Sequence, residues 1–210
     1  MIDSLLKKLG KGVLNKKNKG YREGGLFSLT SAYVTLETKL GLTSTNRCGV
    51  CIKNVNGTYF SNTVMEVQEF LRISSGEFRT KHILVKDRYG YLWIVIRGLS
   101  IEDILVASNG IEDIITERGF RDQMLATVFE FRKSVTSDLN SGTNQSVPQF
   151  LIFNYRREKF YPFVPSGVQE KRRNDLELRL MSIISKEIPW ESDMSVWYPL
   201  WDMPFEKLKV

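Results

Sequence analysis

The residues of this sequence that could most readily do chemistry are two cysteines spaced C-x-x-C, Cys48 and Cys51. Thiolates at this spacing bind metal ions or form redox-active dithiols. A structural zinc site needs four ligands, whereas the sequence has no second C-x-x-C and a single histidine, His82. The residues after Cys51 continue a strand pattern, and side chains three positions apart on a strand face opposite sides. We therefore predict two reduced, structural cysteines, with a metal or redox role as the less favoured alternative.

Other signatures of catalysis are missing from the sequence. It contains no G-x-S-x-G, G-x-x-x-x-G-K-[ST], G-x-G-x-x-G or H-E-x-x-H motif. His82 lies in the middle of an alternating strand pattern, which favours a partly exposed, structural histidine. The acid pairs Asp175 and Glu177, and Glu191 and Asp193, could in principle support hydrolysis, but carboxylates are common in the first turn of a helix. We predict that the protein is not an enzyme and has no cofactor.

The N-terminal 25 residues form a basic segment. The chain has a formal net charge of +6 and a pI of about 9.3, and residues 7–22 contain lysines and one arginine but no acid. Apolar residues at helical spacing over positions 2–14 predict a short amphipathic helix, which would suit an anionic membrane surface. A docked or disordered terminus is the favoured alternative. The candidate membrane-surface residues are Lys7, Lys8, Lys11, Lys16 and Lys17.

Composition places the protein among ordinary water-soluble chains, with 42% hydrophobic and 26% charged residues. No apolar run approaches the ~18 residues that cross a bilayer. The N-terminus lacks the apolar core and cleavage site of a signal peptide. We predict a cytoplasmic protein that is peripheral at the inner face of the membrane if the basic segment binds lipid.

A second basic cluster, nearer the C-terminus, could bind nucleic acid. Arg156, Arg157 and Lys159 precede Phe160 and Tyr161, and residues 171–173 are all basic. Basic residues interleaved with aromatic ones are typical of single-strand binding sites. A solvated hairpin turn and a charged loop before a helix explain the same residues, and we favour that explanation.

The most unusual segment covers residues 188–205, which we call the aromatic strap. It holds five large aromatic residues: Trp190, Trp197, Tyr198, Trp201 and Phe205. Its prolines exclude a regular helix. Side chains of this kind carry roughly 150–250 Å² of surface each, more than water tolerates if all are exposed. We predict that the strap packs over the sheet or the last helix through at least two of its tryptophans, and that its exposed part is a partner-binding patch.

Hydrophobic periodicity sets the expected elements. It predicts helices at residues 29–40, around 64–71, from Ser100 to Gly119, and a last helix capped by Asn174 with Glu177 three residues on. It predicts strands at residues 47–55, 58–60, 80–86, 91–97, 124–132, 149–155 and 160–163. The polar residues 134–148 predict a loop.

Strands joined by such short turns must be antiparallel, and helices gathered on one face of a sheet pack economically. We therefore predict an α+β fold with an antiparallel β-sheet and helices mainly on one face. Residues 1–25 form the basic amphipathic tail and linker. Residues 26–210 form a single α+β domain that includes the aromatic strap.

Several stretches together resemble one family, the PspA-associated protein PspAB. They are LFSLTSAYVTLETKLGL (26–42), the GV-C-I pattern (49–52), EVQEFL (66–71), DRYGYLWIVIRG (87–98) and GFRDQMLATVFEF (119–131). The most specific are KFYPFVPSG (159–167), RRNDLELRL (172–180) and IPWESDMSVWYPLWDMP (188–204). The resemblance covers residues 26–204 in order and leaves out the basic tail and the loop at 134–148.

This resemblance implies an accessory role in the phage-shock-type response to envelope stress. Proteins of the family are linked with PspA, a coiled-coil protein that coats damaged inner membrane, and with an HtpX-like membrane metalloprotease. The resemblance supplies no catalytic residues. The order of elements also resembles the small α+β fold of type III secretion chaperones and YbjN-like proteins, which bind other proteins.

The leading hypothesis is a non-enzymatic accessory protein that binds a PspA-like or HtpX-like protein. The predicted partner-binding residues are Tyr161, Phe163, Trp190, Trp197, Tyr198 and Trp201. The alternatives are a general chaperone-like peptide-binding module and a nucleic-acid-binding regulator.

Overall fold

The computed structural model describes residues 25–77, 79–133, 147–168 and 170–208, apart from the side chain of Glu77. The predicted amphipathic tail and most of the predicted loop at 134–148 lie outside the described residues. The helices are α1 (Ser28–Leu40), α2 (Thr58–Glu77), α3 (Ile101–Glu117) and α4 (Asn174–Ile184). The strands are β1 (Leu42–Ile52), β2 (Lys81–Lys86), β3 (Leu92–Arg97), β4 (Met124–Lys133), β5 (Gln149–Asn154) and β6 (Lys159–Phe163).

The six strands form one sheet in the order β2-β3-β1-β4-β5-β6, and every neighbouring pair is antiparallel. Strand β1 lies in the interior, where Cys48 pairs with Ile96 on one side and Phe129 on the other. The pairing of β1 with β4 shifts between Ser44 and Cys48, as a β-bulge does. These strands and helices confirm the predicted α+β class.

The helices cover one face of this sheet. Alternate strand residues such as Val50 and Ile94 point into a hydrophobic core that also takes in Leu36 of α1, Leu71 of α2 and Ile104 of α3. Helix α4 adds its own buried side chains to the same core. The predicted arrangement, with helices mainly on one face, is therefore confirmed.

Local sequence signals define α3 well. The Ser100 side chain accepts the N–H of Asp103, and the Asp103 carboxylate accepts the N–H of Ser100, which makes a capping box. Ile101, Ile104 and Ile111 then lie on the buried side of the helix. The cap and the apolar stripe act together, so both the start and the orientation of α3 follow from its sequence.

The predicted strand at residues 58–60 is wrong, because these residues open α2. Gly57 turns the chain with φ of +145°, which a residue with a side chain rarely adopts, and the helix begins at Thr58. Phe60 is buried and meets Phe120 edge to face, with ring centroids 5.1 Å apart. Burial of Phe60 on a helix outweighs the strand preference of Thr-Tyr-Phe.

The predicted cap of α4 is also wrong. Arg173 is the N-cap residue, without a capping bond from its side chain, and Asn174 is already helical. Glu177 does not turn back to the helix start. Its Oε1 accepts the N–H of Val164 at 2.8 Å and the Nε–H of Arg172 at 3.0 Å. Contacts with the end of β6 therefore replace the local cap.

Candidate functional site

The aromatic strap crosses the sheet face that the helices leave free. Trp197 and Phe205 are buried there, with 3% and 4% of their surface exposed. Trp190 and Trp201 are half-buried and pack against the same cluster. The sheet contributes alternate residues of five strands to this second core: Cys51, Trp93, Val95, Ala126, Val128, Phe150, Ile152, Tyr161 and Phe163. The prediction that the strap packs over the sheet is confirmed.

Ring contacts fix the orientation of the tryptophans. Trp190 and Trp197 meet at right angles with centroids 5.9 Å apart. Trp201 meets Phe163 edge to face at 5.0 Å. These are the geometries that aromatic quadrupoles favour, and each adds to the stabilisation from burial alone. The strap is thus a packed element despite having little regular structure.

Hydrogen bonds pin the start of the strap to the edge of the sheet. The Phe160 N–H donates to the Pro189 carbonyl at 2.7 Å, and the Glu191 N–H donates to the Phe160 carbonyl at 2.8 Å. The Trp197 indole N–H donates to the Glu191 carbonyl at 3.0 Å. The Tyr161 hydroxyl donates to the Tyr198 carbonyl at 3.1 Å. Residues 189–191 therefore extend the sheet beyond β6 for a short distance.

Arg172 ties the middle of the strap to β6 and α4. Its guanidinium donates to the carbonyls of Trp197 at 2.6 Å and Pro162 at 3.3 Å, and it forms an ion pair with Glu177 at 3.0 Å. The guanidinium also lies over the Phe163 ring, 5.5 Å from its centroid. Because the Glu177 carboxylate is buried, this ion pair is shielded from water.

Glu191 is a second buried carboxylate, paired with Arg157. The hydrogen bond from Arg157, followed by that from the Asp193 N–H at 2.9 Å, lowers the pKa of Glu191 below its ordinary 4.5. Asp193 itself accepts the Ser195 N–H at 3.0 Å. The acid pairs considered for hydrolysis are therefore engaged in ion pairs and turns, as is Asp175, which pairs with Arg173.

Burial separates the six predicted partner-binding residues into two groups. Tyr161, Phe163 and Trp197 are buried within the second core. Tyr198 exposes 58% of its surface, and Trp190 and Trp201 are half-buried. A partner that docks on the folded chain can touch only the second group, because the first would require the strap to detach. Partner binding at Trp190, Tyr198 and Trp201 stays a prediction.

One exposed apolar residue of the strap was missed by the sequence reasoning. Met194 begins the 3-10 turn Met194–Val196 and exposes 50% of its surface, four residues before Tyr198. No signal in the sequence separates Met194 from the buried apolar residues of the strap. The Trp190 indole N–H is buried without a hydrogen-bond partner among the described residues.

The cysteines behave as structural residues. Both are free and buried, with Cys48 in the core under the helices and Cys51 in the core under the strap, so they face opposite sides as predicted. Burial, with a smaller contribution from Asp87, raises the pKa of the Cys51 thiol to about 12, and burial raises that of Cys48 further. Within the described residues, no group of three or more His, Cys, Asp or Glu side chains could hold a metal ion.

The remaining candidate sites are occupied by internal contacts. His82 lies on β2, half-buried, and its burial lowers its pKa. In the second basic cluster Arg157 and Arg172 are paired with buried carboxylates. Phe160 and Tyr161 are buried and cannot stack on a base.

The five lysines of the tail lie outside the described residues. No helix in the described part of the chain has the length and hydrophobicity to cross a membrane.

Comparison with known proteins bears on the family. A family model described as PspA associated protein B (PspAB) matches residues 1–205. This match includes the basic tail and the loop at 134–148, which the motif resemblance had left out. Comparison with curated proteins and with solved structures gave no match, so the likeness to type III secretion chaperones and YbjN-like proteins stays a prediction. Because the family match spans nearly the whole chain, the protein belongs to the PspA associated protein B family.

Proposed function

We propose that this protein is a non-enzymatic accessory protein of a PspA-type membrane-stress response and acts by binding a partner protein. The support is the family to which the chain belongs, whose description names PspA. A PspA-like coiled-coil protein is the first candidate partner, and an HtpX-like membrane protease is the second.

The exposed side of the aromatic strap is the proposed contact surface, and one observation carries this assignment. Tyr198 and Met194 are exposed on a segment that hydrogen bonds and buried tryptophans already hold in place. Surface aromatic residues on a pinned segment bind without a large loss of conformational entropy. Tyrosine, tryptophan and methionine are also the residue types enriched at the centres of protein interfaces.

The test is direct binding between purified proteins. The full-length chain is mixed with the PspA-like coiled-coil protein of the same organism, and separately with the HtpX-like protease in detergent, and binding is measured by calorimetry. The variant Tyr198→Ala should fold normally and weaken binding by about tenfold or more, as interface anchors do. The matched control is Tyr59→Ala, which removes a tyrosine of similar exposure (62%) from the helix side of the molecule.

Comparing Trp197→Ala with Tyr198→Ala separates the contribution of the strap to folding stability from its contribution to binding. Because Trp197 is buried, its loss should lower the free energy of unfolding by about 3–5 kcal/mol. Tyr198→Ala should change it by no more than about 0.5 kcal/mol, as exposed positions do. Equal binding by wild type, Tyr198→Ala and Tyr59→Ala would remove the strap from the contact surface. Failure to bind either candidate protein would refute the proposed partners.

A further inference from the structure

The two edges of the sheet differ in what their backbones offer. At β6 the outward-facing groups are used: Phe160 bonds the strap in both directions, and Val164 donates its N–H to Glu177. Pro162 has no N–H, and its carbonyl accepts from Arg172 at 3.3 Å. This edge cannot take another strand.

At β2 the outward-facing groups bond nothing among the described residues. The Asp87 N–H donates to the Tyr91 carbonyl across the hairpin, and the Gly98 N–H donates to the Asn46 carbonyl on the other side of β3. Hydrogen bonding alternates along an antiparallel ladder, so Lys81, Ile83 and Val85 bond β3, and the intervening residues bond outward. The outward residues are His82, Leu84 and Lys86. Neither their N–H nor their C=O groups bond any residue in the described part of the chain.

Strand β2 also has the shape and side chains of a docking strand. Its pairing with β3 runs over six residues without a bulge, and it contains no proline. Leu84 packs toward the helices, whereas Ile83 and Val85 pack toward the strap, and all three are only half-buried. Natural proteins usually protect an exposed edge strand against pairing with another strand, for example with a bulge or a proline. Strand β2 has neither and is apolar at its centre, so it suits the addition of a strand from a partner.

Charge indicates the kind of segment that fits. The hairpin of β2 and β3 carries Lys81, Lys86, Arg88 and Arg97 against a single acid, Asp87. The Asp87 carboxylate is already used, because it accepts the N–H groups of residues 89 and 91 and the indole N–H of residue 93, each at 2.9 Å. Among the described residues, Lys81, Lys86 and Arg97 have no ion-pair partner. A second copy of β2 would bring two more lysines and no acid to this edge, whereas an acidic segment would neutralise the lysines already there.

We propose that the free edge of β2 is a strand-addition site for an extended acidic segment of a partner protein. Apolar residues of that segment lie opposite Ile83, Leu84 and Val85, and acidic residues lie opposite Lys81 and Lys86. The inference rests on protein binding as the mode of action proposed above, but it assigns a surface other than Tyr198.

A designed peptide tests the site on the full-length protein. The probe is fluorescently labelled Glu-Val-Ile-Val-Thr-Glu, whose antiparallel register places its glutamates opposite Lys86 and Lys81. It should bind saturably, and the same peptide with lysines in place of both glutamates should bind about tenfold more weakly or not at all. Hydrogen exchange followed by NMR should show slower exchange at the amides of His82, Leu84 and Lys86 on binding.

The backbone pairing is tested by two changes, each of which removes one N–H group, the first on β2 and the second on the probe. Leu84→Pro deletes an outward N–H without breaking the ladder to β3, and should weaken binding by about tenfold, whereas Leu84→Val keeps the N–H and should stay within about twofold of wild type. A probe N-methylated at its isoleucine loses the matching N–H on the peptide and should also bind about tenfold more weakly, whatever the stability of the proline variant.

Three outcomes would overturn the inference. One is no binding of the acidic probe, and another is equal binding of the N-methylated probe. The third is slow exchange of the three outward amides in the free protein together with a dimer in sedimentation, which would assign the edge to a second copy. Tyr198→Ala should bind the probe normally, so loss of the β2 site and loss of the strap site give separable results.

Discussion

At the scale of single residues, the buried carboxylates show how this protein stabilises its irregular part. Glu130, Glu177 and Glu191 are each buried, and each forms an ion pair with arginine. Removing one partner of such a pair leaves an uncompensated buried charge, which costs more than the pair itself contributes. Two of the three pairs lie where the strap meets β6 and α4, so ionisation there is coupled to the packing of the strap.

The ion pair of Glu191 with Arg157 predicts that the free energy of unfolding decreases at acid pH. Its folded-state pKa lies below the ordinary 4.5, so the ionised form stabilises the fold. That stabilisation is complete above pH 4.5 or so and is lost as the pH falls through the lowered pKa. Glu191→Gln should therefore be less stable than wild type at pH 7, and the difference should shrink in acid. Urea denaturation between pH 7 and pH 3 measures it.

The control for this prediction is Glu117→Gln. Glu117 is exposed and forms no ion pair with a described residue, so its variant should follow the wild-type pH dependence. A stability difference between wild type and Glu191→Gln that stays constant from neutral to acid pH would contradict the linkage.

At the scale of elements, Arg172 is the side chain that joins strap, strand and helix. It contacts Trp197 of the strap, Pro162 of β6 and Glu177 of α4. Arg172→Met should lower the free energy of unfolding by about 3–5 kcal/mol, because Glu177 remains buried without a counter-charge. In this variant the backbone amides of residues 188–205 should exchange faster than in wild type, whereas those of α3 should change less, since the strap loses its central attachment. Hydrogen exchange with mass spectrometry resolves the two segments.

Arg173→Met is the matched control for Arg172→Met. Arg173 is the next residue along the chain, and its partner Asp175 is exposed, so the exposed pair contributes little. The assignment of Arg172 as the attachment of the strap fails if Arg172→Met is folded and its strap amides exchange at the wild-type rate.

The elements that could be predicted from the sequence are those with local signals. Helix α3 carries a capping box and an apolar stripe, and the β2–β3 hairpin carries two alternating runs around a turn. The predicted strand at residues 58–60 is wrong because Phe60 is held in a helix by its contact with Phe120, which is far away in the sequence. The number of aromatic residues in the strap predicts that most of them are buried, but the composition of the strap does not indicate which rings face the sheet. That is why Tyr161, Phe163 and Trp197 were grouped with the exposed Tyr198.

At the scale of the whole molecule, positive charge is concentrated in the tail. The formal charge is +6, and residues 7–22 supply more positive charge than the chain carries in total, so the remainder is close to neutral. Long-range attraction to an anionic membrane would therefore act through the tail, whereas the strap and β2 lie among the described residues. Membrane attachment through the tail and partner binding through the strap or β2 can therefore be tested separately in one full-length protein.

The tail predicts binding to anionic vesicles. Replacing Lys7, Lys8, Lys11, Lys16 and Lys17 with Gln should weaken binding to phosphatidylserine-containing vesicles by about a hundredfold or more, because each lysine near the surface contributes ~1 kcal/mol. Neither protein should bind vesicles of phosphatidylcholine alone, and added salt should weaken wild-type binding. Vesicle sedimentation measures both effects.

A variant of equal net charge decides whether the position of the lysines matters. Five exposed lysines among the described residues are replaced with Gln instead: Lys39, Lys53, Lys171, Lys186 and Lys207. If the tail is the membrane contact, this variant should keep most of its vesicle binding, since the basic residues of the tail are unchanged. Equal losses of vesicle binding in the two variants would show that only net charge matters. If the wild-type protein does not bind anionic vesicles, the tail has no membrane role.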